Sequence, residues 1–254
     1  VPSFFGGGFP PLPGTALEAE VIPPLVAGSQ LVVRGTEATE ESVLSVKSPR
    51  VLHLATHGFF IQDTVLPLPD QVASSGIVGG GQGRGVGGIK NLSPLPTENR
   101  PSSVALSAMV RSGLAFAGAN HAASASSGND GILTALEVTG MDLRGTELVV
   151  LSACETAVGQ VSIGEGIFGL RRAFVLAGAE NLVMSLWLVN DDLTVTQMER
   201  FYRGFGDGEP IPEALRQAQL ESIATLRGLT QEALGEAIAP VRLWAPFIVQ
   251  QTGL

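Results

Sequence analysis

Two short apolar runs constrain this chain most: Val51-Leu52-His53-Leu54-Ala55-Thr56 and Glu147-Leu148-Val149-Val150-Leu151-Ser152-Ala153. Each is too short for a buried helix and bounded by polar residues, so each predicts a buried strand. Further strands are predicted at Leu31 to Val33, Gly113 to Ala117, Leu182 to Val189 and Phe247 to Gln250. Helical spacing fills the intervals. It is clearest from Glu165 to Ala177, where Ile167, Leu170, Phe174 and Ala177 recur on one face. Helices are also predicted over Thr39 to Val46, Ile132 to Val138, Leu193 to Arg203, Ile211 to Leu226 and Gln231 to Ile238. Strands alternating with helices through right-handed crossovers predict an α/β fold with a mostly parallel central sheet.

The punctuation of the chain sets its organisation. Val1 to Gly14 holds four prolines and four glycines without a sustained apolar period, so residues 1–30 read as an irregular N-terminal segment or linker and a poor place for a site. Residues 31–254 form the main domain, with a flexible Gly/Pro-rich insertion at about 71–101. Starting at Val1 suggests a domain cut from a longer protein or a processed product.

A net charge of -9 argues against general affinity for nucleic acid or anionic membrane, which reward clustered Lys and Arg. No apolar run reaches the roughly 20 residues a membrane helix needs. A single cysteine allows no intramolecular disulfide and no Cys-rich zinc site, and fits a reducing, cytoplasmic setting. The three histidines lack metal-ligand spacing, so neither metal nor cofactor is expected.

Ligands of open parallel sheets bind beyond the carboxyl ends of the strands. The first apolar run stops at His57-Gly58 and the second at Cys154-Glu155-Thr156, which puts an imidazole and a thiol at one edge. A thiol with a pKa of about 8.5 is mostly protonated at neutral pH, and a nearby imidazole can take its proton. Gly58, with no side chain to block substrate, and the amide of Cys154 are candidate oxyanion donors. The competing reading makes Cys154 an inert core residue and His57 a strand-end hydrogen bonder. His53, among apolar neighbours, reads as structural, and His121 as loop surface. Gly83 to Gly88 matches G-x-G-x-x-G but lies in low-complexity sequence without the strand and helix that a dinucleotide site needs. Neither G-x-S-x-G nor a Walker phosphate loop occurs.

His53-Leu54-Ala55-Thr56-His57-Gly58-Phe59-Phe60 and Leu151-Ser152-Ala153-Cys154-Glu155-Thr156 resemble the two signature segments of the CHAT-domain peptidases, relatives of caspases and separases. Ser112 to Asn120, Asp130 to Ala135, Gly164-Glu165-Gly166, Leu170 to Phe174, Met184 to Trp187, Ala214 to Ala218 and Trp244 to Phe247 resemble further family segments in the same order. The resemblance implies a caspase-like three-layer α/β/α sandwich. It also implies a cysteine endopeptidase acting on a protein through a thioester acyl-enzyme, with Cys154 as nucleophile, His57 as acid/base, and Gly58 with the Cys154 amide stabilising the oxyanion. Family members are often joined to helical repeats such as tetratricopeptides, so gating by such domains is expected.

Departures from the family pattern are Ala157, Leu136 and Asn190-Asp191, the last followed by Asp192. Asp191 or Asp192 could line a pocket favouring Arg or Lys before the scissile bond; the alternative for both is helix capping. A catalytically idle domain holding an extended peptide and a dyad-based acyltransferase are the competing functions.

Overall fold

The structure, a computed structural model, describes residues 8–61, 109–124, 129–155, 165–187 and 191–252, without the side chains of 122–124, 153–155 and 165–168. Among the described residues six strands form one sheet: β1 (Val51–Phe60), β2 (Ser112–Ala115), β3 (Ile132–Thr134), β4 (Leu148–Glu155), β5 (Asn181–Ser185) and β6 (Phe247–Gln251). Their spatial order is β3-β2-β1-β4-β5-β6. Only the pairings β1–β4 and β4–β5 are parallel, and the other three of the five are antiparallel, so the sheet is mixed and the expected mostly parallel arrangement is corrected. An apolar run shows that a strand is buried, whereas its direction depends on the path of the connection that precedes it. The parallel core still coincides with the longest apolar runs.

Helices α1 (Pro13–Val21), α2 (Glu40–Leu44), α3 (Ala135–Val138), α4 (Glu165–Ala177), α5 (Asp191–Gly206), α6 (Ile211–Leu234) and α7 (Val241–Trp244) surround the sheet. Because successive strand residues point to opposite faces, the central strands feed two separate apolar clusters. Leu52, Leu54, Val149, Leu151, Leu182 and Met184 join Leu170, Ala173, Phe174 and Ala177 of α4. Leu148, Val150 and Val183 join Met198, Phe201, Tyr202 and Phe205 of α5 and Ile211, Ala214, Leu215 and Ala218 of α6. Each fully buried Leu, Val or Phe contributes about 1.5–3 kcal/mol, so both faces stabilise the sheet. The predicted face of α4 is the one that packs, as far as its described side chains go; Ile167 lies outside them.

Several local expectations change. Leu31 to Val33 is not a strand, and Leu31 is 81% exposed: a three-residue apolar stretch without a pairing partner stays irregular. Ile132 to Val138 divides into β3 and α3 at Thr134, which forms a capping box. Glu137 N–H donates to Thr134 Oγ1 at 3.2 Å, and Thr134 N–H donates to Glu137 Oε2 at 2.8 Å. The two helices expected after Ile211 are one, ended by Gly235 at φ 74.

Residues 1–30 are not irregular throughout. Pro13–Val21 is helical, with a proline in its first turn, where the missing N–H costs no intrahelical bond. The predicted insertion at 71–101 lies outside the described residues. No helix among the described residues is long and apolar enough to cross a membrane.

Candidate active site

Parallel pairing of β1 with β4 brings the two signature segments together. The register runs from Val51 opposite Leu148 to Gly58 opposite Glu155, and it sets His57 directly beside Cys154. Neighbouring strands lie about 4.8 Å apart, so the two backbones are adjacent although 97 positions separate them in sequence. The strands do not stop where the apolar runs do: β1 continues through His57 to Phe60, and β4 through Cys154 to Glu155. His57 therefore has Cys154 on one side and Ala115 of β2 on the other. Gly58 is buried between Leu114 and Glu155 in the same ladders.

His57 is 7% exposed. Its Nε2 lies 2.6 Å from the carbonyl oxygen of Pro10. A carbonyl only accepts, so Nε2 carries the proton and donates it, leaving Nδ1 with its lone pair. Nδ1 is buried and has no hydrogen-bond partner among the described residues. The Phe9 ring lies against the imidazole at 5.4 Å between centroids and touches Phe59 at 6.2 Å. A fixed tautomer with a buried nitrogen left to accept is what a proton acceptor for a neighbouring thiol requires.

The Pro10 carbonyl comes from the segment expected to be a poor place for a site. Residue-type reasoning missed it because the working atom belongs to the backbone, which every residue carries. The proline-rich run was the one available signal, since it disfavours helix until Pro13. Two side chains hold this stretch. Phe9 N–H donates to Asn120 Oδ1 at 2.7 Å, and Asn120 Nδ2 donates to the Phe9 carbonyl at 3.1 Å. Gly14 N–H donates to Asp191 Oδ2 at 2.6 Å.

A second polar group ties α1 to the same two strands. Glu18, 2% exposed, receives Ser152 Oγ–H on Oε1 at 3.0 Å and faces His53 Nε2 with Oε2 at 3.0 Å. His53 Nδ1 meets the Tyr202 hydroxyl at 2.9 Å. One tautomer satisfies every group: Nε2–H donates to Glu18 and Tyr202 O–H donates to Nδ1. Burial first, and the Glu18 carboxylate second, push the Tyr202 phenol well above its usual range. His53 thus takes the structural place expected of it, within a network that joins α1, β1, β4 and α5.

The remaining candidates separate. Asp191 and Asp192 both lie in the first turn of α5, where negative charge is favourable. Asp191 is half-buried and caps α1 through Gly14, while Asp192 is exposed. His121 is exposed on the turn after β2.

A family model for the CHAT domain matches residues 3–251, a span that includes the segment carrying Pro10. No curated protein matches the chain.

Proposed function

We propose, from the premise that the chain belongs to the CHAT-domain family of caspase-like cysteine peptidase-type domains, that it is a cysteine endopeptidase acting on a protein substrate. The observation that carries this reading is the β1–β4 register. It sets His57, its Nε2 occupied by Pro10 and its Nδ1 without a partner among the described residues, beside Cys154. The two apolar clusters on opposite sides of the sheet support a caspase-like α/β/α sandwich around that pair.

In the proposed reaction the Cys154 thiol gives its proton to His57 Nδ1, and the sulfur attacks the scissile carbonyl carbon. The amides of Gly58 and Cys154 stabilise the oxyanion. Collapse breaks the C–N bond, and the amine leaves with the proton from His57. Water then attacks the thioester, giving a proton to His57, and the acid departs as the thiol re-forms. Throughout, the Pro10 carbonyl accepts from Nε2–H and stabilises the imidazolium as it appears.

Specificity for Arg or Lys before the scissile bond is the finer part of the proposal. Asp192 carries it, because Asp191 has its carboxylate engaged by Gly14. The single cysteine suits a reducing, cytoplasmic setting, and helical-repeat domains are the proposed gate.

Digestion of a peptide library tests the reading. The wild-type chain is expected to cut, Cys154→Ala and His57→Ala to lose at least about 1,000-fold of that activity, and Asp192→Ala to lose the preference for Arg or Lys. Equal cleavage by wild type and Cys154→Ala would end the assignment. Peptide binding without cleavage by the wild type would turn it into the idle, peptide-holding alternative.

A further inference from the structure

His57 is oriented by a carbonyl that belongs to no regular element. Pro10 precedes α1 by three residues and makes no strand pairing. A hydrogen bond from such a segment keeps its geometry only if the segment is itself held, because each unrestrained backbone residue gains roughly 1–2 kcal/mol of conformational entropy by leaving one conformation. Holding is visible at both ends. On one side Asn120 takes both main-chain groups of Phe9, the residue immediately before Pro10. On the other, Asp191 takes the amide of Gly14. The fit is tight at both ends: a Cβ at Gly14 would lie 2.5 Å from Asp191 Cγ and Oδ1, and one at Gly8 would lie 2.8 Å from Asn120 Oδ1, so a methyl group at either place would have to displace the latch side chain. Asn120 follows β2, and Asp191 opens α5, so two separate elements hold the segment on either side of Pro10.

We infer that Asn120 and Asp191 are positioning residues that bracket residues 9–14 and hold the Pro10 carbonyl on His57, so that the imidazole keeps its proton on Nε2 and presents Nδ1 to Cys154. This rests on the peptidase reading for its catalytic meaning, but the tautomer it specifies is measurable without any substrate. It also gives Asp191 a role other than lining a substrate pocket.

The test uses the 254-residue chain with nitrogen-15-labelled histidine. NMR of wild type is expected to show one His57 tautomer with the proton on Nε2. Asn120→Ala, Asp191→Ala and Gly14→Ala should show a mixture, while Asp191→Asn, which keeps an acceptor for the Gly14 amide, should stay like wild type. Gly14→Ala is informative because alanine favours helix over glycine by about 1 kcal/mol, so α1 itself is not weakened by propensity. A parallel readout is the rate of Cys154 alkylation by iodoacetamide, specific because the chain has one cysteine.

Misoriented His57 should move the alkylation pH profile toward the free thiol near about 8.5 and slow labelling at pH ~6.5 by roughly 10-fold or more. A wild-type tautomer and labelling profile in both Asn120→Ala and Gly14→Ala would overturn the positioning roles. Tautomer mixing in the variants, with a wild-type Cys154 that labels only as a free thiol, would uphold the latches and defeat the peptidase reading instead.

Discussion

Glu18 shows how much one side chain can decide. Its carboxylate is removed from water and matched by two partners on two strands, Ser152 of β4 and His53 of β1. A buried carboxylate is tolerable only with such matching, and the partners are equally dependent on it. Glu18→Ala leaves the buried Ser152 hydroxyl and the half-buried His53 N–H without their acceptor, so urea unfolding should show a loss of about 1–3 kcal/mol for each donor left unpaired. Ser152→Ala, which removes one hydrogen bond, should cost about 1 kcal/mol. A loss below about 1 kcal/mol for Glu18→Ala would mean that α1 is held by its apolar contacts alone. Nothing in the local sequence around Glu18 announces this role, because the segment reads as irregular and Glu20, two positions on, is an acid with the same local signal. His53, by contrast, was legible as structural from its apolar neighbours.

At the scale of elements, β2 shows what packing adds to pattern. Phe59 of β1 lies directly opposite Gly113, and its ring covers the glycine. A Cβ at Gly113 would lie 2.6 Å from the Leu133 carbonyl and 2.8 Å from the Phe59 ring. Gly113→Ala should therefore destabilise by about 1–3 kcal/mol through overpacking. Because Phe59 also touches Phe9, the same change should disturb the His57 environment. The checks are a denaturation midpoint and the His57 imidazole resonances; an unshifted midpoint would show that β2 can give way. The helix α4 was readable in advance because thirteen residues display a 3.6 period. The strand β3 was not: three residues are too few to show any period, and the capping box at Thr134 decides where strand ends and helix begins.

Across the whole molecule, stability carries the mark of the buried network in its response to alkali. Tyr202 is raised well above 10.0 by burial and then by Glu18, so above about pH 10 the folded chain holds a proton that the unfolded chain has lost. The sign follows: this contribution is complete below the unfolded value and is lost as pH rises toward the folded one. Unfolding free energy should thus decline above about pH 10, and Tyr202→Phe should show a shallower decline. The chain has one tyrosine, so phenolate absorbance reports this group alone and should appear only as the protein unfolds. Phenolate appearing at the ordinary value in the folded chain would remove this explanation.

The sequence by itself determined the two longest buried strands, the α/β class, and the two signature segments, because burial over a long run and residue chemistry are written in local pattern. Tertiary structure alone decided the directions of β2, β3 and β6, the register that sets His57 beside Cys154, and the use of the Pro10 carbonyl. Those depend on how distant segments meet, and a backbone oxygen has no letter in the sequence to mark it.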